Sequence, residues 1–330
     1  MRTPARIAIA ALLLVAVFWI KSHLDLIPVR WQNLRDSFPI QVEELKGAQT
    51  SGKPNDNGVH RIDSARNASS ADSSIAPTPT ASTQTISTAT ALTAQQTVRP
   101  VDGVIVVAKL KEEDTDWVVN ELPEWQNAIY VVDDPEAPLH PKKNKGRESN
   151  VYLQYIIDNY DRLPSTIVFL HSHRDGYPQA WHTDAADYSN VNSVRLLQID
   201  FIQRNGYANL RCNFIPGCPD EIQPFRNPRD EGRTTEHAML DAWPILFNNS
   251  DIPEVIATPC CSQFAVSRAR VRERPLSHYV WFHKWIMETE LTDDVSGRVM
   301  EYLWHIIFGQ DPVYCPELRR CYHDVYGFPL

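Results

Sequence analysis

From residue 104 onward the chain alternates short apolar runs with amphipathic stretches. Val104 to Ala108 is an unbroken apolar run, the pattern of a strand buried on both faces. Glu112-Glu113-Asp114 then opens a helix whose apolar side is Trp117 and Val118. Ala128 to Val132 predicts a second strand, ending at Asp133-Asp134-Pro135. Tyr152, Tyr155, Ile156 and Tyr160 recur at helical spacing and predict a helix over Val151 to Tyr160. Thr166 to Leu170 is a third strand, ending at His171. Val194, Leu197 and Phe201 share one face of a helix running to Arg204, which Asn205-Gly206 stops. The tail reads as helices over Ser277 to Glu290 and Ser296 to Phe308, the second stopped by Gly309. In that last helix Val299, Leu303, Ile306 and Ile307 form an apolar stripe, and Glu301 and His305 lie on the opposite face. The expectation for residues 101–330 is an α/β domain, a mostly parallel sheet flanked by helices with a helical C-terminal part.

The first hundred residues follow other rules. Arg2 and Arg6 precede fourteen apolar residues, Ile7 to Ile20, and Lys21 follows. That run spans about 21 Å as a helix, short of the ~30 Å hydrocarbon core, which suits the apolar part of a signal peptide. No small-x-small cleavage site follows it, and Arg6 and Lys21 can snorkel, so residues 1–30 are expected to be an uncleaved type II signal anchor. The positive flank places the N-terminus in the cytosol and the remainder in the lumen of the secretory pathway, Golgi or endoplasmic reticulum. Twelve of the 25 residues from Ser73 to Thr97 are Ser or Thr. Such a segment cannot bury enough apolar surface to order itself, so residues 31–100 are expected to be a disordered stem. Asn67-Ala68-Ser69 in the stem and Asn248-Asn249-Ser250 in the domain are N-glycosylation sequons.

All six cysteines (212, 218, 260, 261, 315 and 321) fall in the C-terminal part. An even number confined to a lumenal domain points to disulfides, with Cys212–Cys218 and Cys315–Cys321 the simplest local pairings among 15 connectivities. The formal net charge of −9, with no basic stripe, argues against nucleic acid as a partner.

In an open α/β sheet, ligands sit beyond the carboxyl ends of the strands. His171-Ser172-His173-Arg174-Asp175 lies there after the third strand. Two imidazoles and a carboxylate within five residues suit a divalent cation, so His171, His173 and Asp175 are expected to hold Mn2+ or Mg2+. Asp133 and Asp134, after the second strand, would hold a ribose or a metal. Lys142, Lys143, Lys145 and Arg147 precede a helix N-terminus, where unpaired N–H groups suit a diphosphate; Lys145 and Arg147 are the expected contacts. Glu301 would be a general base facing the cleft. The aromatic segment Tyr177 to His182 would form one wall of a sugar or apolar site. The structural alternatives are a turn before Pro135, a solvated basic loop, histidines that cap backbone groups, and aromatics that are simply core.

Two groups of segments carry a resemblance. One comprises Val106-Val107-Ala108-Lys109, Asn144-Lys145-Gly146-Arg147-Glu148, Asp158-Asn159-Tyr160-Asp161-Arg162-Leu163-Pro164 and Val168-Phe169-Leu170-His171. The other comprises Gln263-Phe264-Ala265-Val266-Ser267-Arg268 and Glu301-Tyr302-Leu303-Trp304-His305. Together they resemble the domain of unknown function 3431 family, found mainly in fungi, over nearly all of residues 101–330; that family brings no activity with it. More distantly, the order of elements is similar to GT-A nucleotide-sugar glycosyltransferases, whose third strand ends at a manganese-binding Asp-x-Asp. This chain has His171-Ser172-His173-Arg174-Asp175 at that place. With the expected signal anchor, the resemblance implies a glycosyltransferase-like enzyme with a nucleotide-sugar donor and a carbohydrate or small-molecule acceptor. Two other readings stand beside it. One is a non-catalytic lumenal binding or scaffold protein. The other is a metal-dependent hydrolase, since His171-x-His173-x-Asp175 resembles the opening of the metallo-β-lactamase signature, with His237 as a later ligand.

Overall fold

A computed structural model describes residues 100–330. The expected anchor and stem, with the Asn67 sequon, fall on residues 1–99, outside the described residues. Among the described residues no helix is long and apolar enough to cross a membrane.

Strand β1 (Gly103–Lys109) leads through helix α1 (Asp116–Glu121) to β2 (Gln126–Val131), and helix α2 (Glu148–Asn159) leads to β3 (Thr166–His171). Helices α3 (Asn190–Leu196) and α4 (Ile199–Asn205) precede the three-residue β4 (Tyr207–Asn209). Helix α5 (Thr234–Phe247) is followed by β5 (Phe264–Ser267), α6 (Arg268–Glu273), α7 (Leu276–Glu288), α8 (Asp293–Glu301), α9 (Trp304–Ile307) and α10 (Leu318–Tyr326).

The sheet order is β2-β1-β3-β5-β4. β1 runs parallel to β2 and β3, whereas β5 runs antiparallel to both β3 and β4. The sheet is therefore mixed, not mostly parallel. β4 and β5 hold three and four residues, too few to give a periodic signal, and they supply both antiparallel pairings.

Because side chains alternate across a strand, each apolar run feeds two cores. Val104 and Val106 of β1, Ile167 and Phe169 of β3, and Phe264 and Val266 of β5 meet α2, α5, α7 and the Trp304–Phe308 segment on one face. Ile105, Val107, Val168, Leu170 and Ala265 meet α1, α3, α4 and α10 on the other. The helices thus cover both faces, which explains why Val104 to Ala108 and Ile167 to Leu170 are apolar throughout.

Two expected helices are each broken in two. Leu197 leaves the helical region at φ −61°, ψ 125°, separating α3 from α4. α8 ends at Glu301, and the backbone turns through Tyr302 and Leu303 before α9. The break buries His305 completely, with its Nε2 3.0 Å from the Pro312 carbonyl, so His305 does not face the cleft. Gly206 and Gly309, both at positive φ, stop their helices as expected.

All six cysteines are paired. The bonds are Cys212–Cys321, Cys218–Cys315 and Cys260–Cys261, not the local pairings that sequence spacing suggested. Cys212–Cys321 joins the segment after β4 to α10 across a sequence separation of 109. Asn248 of the second sequon is exposed at the C-terminus of α5.

Loss of the Cys212–Cys321 bridge is expected to cost about 2–4 kcal/mol, since it closes the longest loop. Thermal melts of Cys212→Ser/Cys321→Ser against wild type measure it, and an unchanged midpoint would contradict the pairing. Phe169→Ala, which empties a fully buried site, is expected to cost about 3–5 kcal/mol in a denaturant titration.

Candidate functional site

Topology brings four chain segments to one end of the sheet. β3 ends at His171, and α2, which precedes it, therefore starts at that same end with Glu148. β5 is antiparallel to β3 with Phe264 opposite Phe169, so the residues leading into β5, Cys260 to Gln263, also lie there. α8 delivers Glu301 as its last residue.

The Gln263 side chain, itself buried, ties these segments together. Its Oε1 accepts from the backbone N–H of His171 at 3.0 Å, and its Nε2 donates to Thr183 Oγ1 at 3.1 Å. Thr183 Oγ1 donates to Asn190 Oδ1 at 2.9 Å, and Asn190 Nδ2 donates to the His173 carbonyl at 2.8 Å. This chain of bonds fixes the backbone on both sides of three imidazoles. The rings of His171 and His182 lie 4.2 Å apart between centroids, and those of His173 and His182 lie 6.3 Å apart. The Nε2 atoms of His171 and His182 are shielded from solvent and have no hydrogen-bond partner in the protein. Burial pushes the pKa of His182 down to about 2, with His171 and His173 adding to the effect. Burial lowers that of His171 too, against the opposing charge of Glu148. Both rings are therefore neutral near pH 7, each with a lone pair to offer.

Glu301 is the other unusual group. Its Oε1 accepts from the Cys261 backbone N–H at 2.7 Å. Burial, and after it the charge of Glu148, raise its pKa to about 7 against the opposing Cys261 bond and Arg298. A carboxyl poised at neutral pH can take up or release a proton under working conditions.

The remaining expected site residues are engaged elsewhere. Asp175 is ion-paired with Arg174, whose guanidinium also grips Glu121 at 2.6 and 2.8 Å. Among the described residues the donor atoms of His171, His173 and Asp175 do not converge as a ligand group, and His237 in α5 joins none. The group that does converge is Cys260, Cys261 and Glu301, but its sulfurs are joined as a disulfide. His173 Nε2 lies 3.9 Å from Glu113 Oε1. Asp133 accepts from the Lys111 N–H at 2.8 Å and Asp134 pairs with Lys111 Nζ at 2.8 Å, so both pin the β1–α1 loop. Lys145 is buried and donates to the Leu291 carbonyl at 3.0 Å, and Arg147 pairs with Asp294. The N–H of Gly146 bonds Asp293 at 3.0 Å. The basic loop thus docks on the acidic start of α8. In the aromatic segment, Trp181 is 40% exposed, stands edge-on to His182, and carries the Arg211 guanidinium 5.2 Å from its ring centre.

Sequence reasoning gave no role to Glu148, Gln263 or the Cys260–Cys261 pair. Their one signal was membership in, or closeness to, the segments that carry the family resemblance; Glu148, His171, Gln263 and Glu301 all belong to those segments.

A family model described as protein of unknown function (DUF3431) matches residues 105–324. No curated protein and no solved structure matches the chain.

Glu301 holds its proton more tightly folded than unfolded, so the stability that this proton supplies is complete below the unfolded pKa near 4.5 and is lost as pH rises through about 7. Denaturant titrations across pH 4–8 are expected to show this decline in wild type and not in Glu301→Gln. Glu148→Gln is expected to shift the decline to lower pH.

Proposed function

Since the chain belongs to the family of proteins of unknown function DUF3431, a membership that brings no activity with it, we propose its function from the site alone. The domain is a glycosyltransferase-like enzyme in which Glu301 is the general base for an acceptor hydroxyl. The observation that carries this reading is the Glu301 carboxyl, raised to about 7 by burial and held by the Cys261 amide. It shares the carboxyl end of the parallel strands with Glu148 and His171. In its ionised form Glu301 accepts the acceptor's proton while the acceptor oxygen bonds the sugar's anomeric carbon. The anomeric C–O bond to the diphosphate breaks, and the nucleoside diphosphate leaves with that electron pair.

A nucleotide-sugar donor is supported by the GT-A-like order of the three parallel strands, with polar loops at their carboxyl ends. A divalent cation, Mn2+ or Mg2+, would engage His171 and His173 and offset diphosphate charge. The triad with Asp175 does not fit that role as it stands, because Asp175 is held by Arg174, and no step is assigned to the metal. A carbohydrate acceptor is supported by the exposed Trp181 beside His182. Residence in the secretory-pathway lumen, tethered by residues 1–30, is supported by the three disulfides of the domain.

The test is turnover of a panel of nucleotide-sugars with and without manganese, by wild type and Glu301→Gln. The base role predicts a loss of 10²- to 10⁴-fold in kcat with donor affinity retained. It also predicts a wild-type kcat/KM that rises with pH through about 7. If no nucleotide-sugar is hydrolysed or transferred by folded wild type, the enzyme reading fails and a lumenal binding module replaces it.

A further inference from the structure

The three disulfides differ in what they constrain. Cys212–Cys321 and Cys218–Cys315 join residues 109 and 97 apart, closing long loops of the unfolded chain. Cys260–Cys261 joins neighbours, with Cα atoms 3.7 Å apart. A bond between neighbours removes almost no loop entropy from the unfolded state, so on the chain-entropy account it is not a staple of the fold.

Its location points to a different use. Cys261 has φ +97° and Ser262 φ +52°, a left-handed turn that residues with side chains seldom adopt. This turn aims the Cys261 N–H at Glu301, and both sulfurs and a Glu301 oxygen lie within 4.8 Å of one another. Cys260 is buried, whereas Cys261 is partly exposed.

We infer that the Cys260–Cys261 bond is a redox-active site of the domain, opened by a dithiol and coupled to Glu301 through the Cys261 amide. One thiolate of the dithiol attacks Cys261 Sγ, forming a mixed disulfide as the S–S bond breaks. The electron pair leaves on Cys260 Sγ, which takes a proton from the protonated carboxyl of Glu301, and that carboxylate is reprotonated from solvent. The second thiolate of the dithiol then attacks the dithiol's own sulfur in the mixed disulfide. That closes its internal disulfide and releases Cys261 as a thiolate, which is protonated by solvent. The dithiol loses two electrons and the cysteine pair gains them.

With the sulfurs separate, the turn is free to leave positive φ and the Cys261 amide withdraws from Glu301. The groups that still face the carboxyl are Glu148 from α2, Glu221 from the loop before α5, and Arg298 from its own helix. Two of these three are acidic, so the proton on Glu301 is held more tightly once the amide is gone. Opening the bond therefore lowers the ionised fraction of Glu301 at neutral pH. Opening of the bond and its effect on Glu301 depend on the local geometry and not on glycosyl transfer, so both are read without turnover.

The full-length oxidised protein, titrated with dithiothreitol and then alkylated, reports the order of opening by peptide mass spectrometry. Cys260 and Cys261 are expected to label at a reductant concentration at least tenfold below that needed for the other four cysteines, with near-UV circular dichroism retained. Simultaneous or later opening of this pair overturns the redox site. Carboxyl titration of ¹³C-glutamate protein, with the Glu301 signal assigned by Glu301→Gln, reports the coupling. Opening the bond in wild type is expected to raise that midpoint, and Cys260→Ser/Cys261→Ser is expected to raise it without any response to reductant. A midpoint unchanged by reduction of folded wild type overturns the coupling.

Discussion

Phe264 stands opposite Phe169 in the antiparallel pair of β5 and β3, and their rings lie 4.8 Å apart. Tyr152 of α2 packs on Phe169 at 4.5 Å and Trp304 packs on Phe264 at 5.3 Å. This buried aromatic cluster sets the direction of β5 and hence which end of the sheet its lead-in occupies. Were β5 parallel, Cys260 to Gln263 would lie at the opposite end, and neither the Gln263 bridge nor the Cys261 amide would reach the residues they serve. Helix α2, held by the same cluster, carries Glu148 to that end. The reversal of one four-residue strand thus decides the composition of the polar site.

The site keeps its charge in check by burial. The His171 Nε2 atom and the His182 side chain are shielded from solvent, so the charged form of each is disfavoured, and Glu301 is disfavoured as a carboxylate by burial and by Glu148. The charged groups nearby are mostly neutralised in pairs at the rim: Arg174 with Glu121 and Asp175, Arg147 with Asp294, Lys111 with Asp134. Surface pairs of this kind add little stability. What they do is hold loops in place: Lys145 and Gly146 seat the start of α2 on the start of α8, the helix whose far end carries Glu301.

Much of the fold was legible because long apolar runs leave a clear trace. β1, β2, β3 and α2 lie where their patterns place them, and α1 and α7 are within a few residues. The two short strands were not legible: three or four residues cannot show a period, and Phe264 to Ser267 mixes apolar and polar types. The breaks at Leu197 and Tyr302 were missed because helical periodicity continues across them while the backbone turns. For the candidate site, His171, His173 and Glu301 stood out by residue type at a strand end or off an apolar stripe. That Asp175, Lys145, Arg147, Asp133 and Asp134 have nearer partners was invisible, because those partners lie on other elements. The same holds for the Cys212–Cys321 and Cys218–Cys315 disulfides, whose partners are about a hundred residues apart.

Asp184 offers a last consequence. It is buried two residues after His182, and its Oδ2 accepts from the amides of Cys212 and Asn213 at 2.9 and 2.8 Å and from the Tyr322 hydroxyl at 2.8 Å. Tyr322 follows Cys321 in α10, so a covalent bond and a hydrogen bond converge from that helix on the same strip of chain. Helix α10 is in effect the rear wall against which the imidazole loop is braced. The imidazole loop and a helix 138 residues further along the chain are thus held together through one carboxylate.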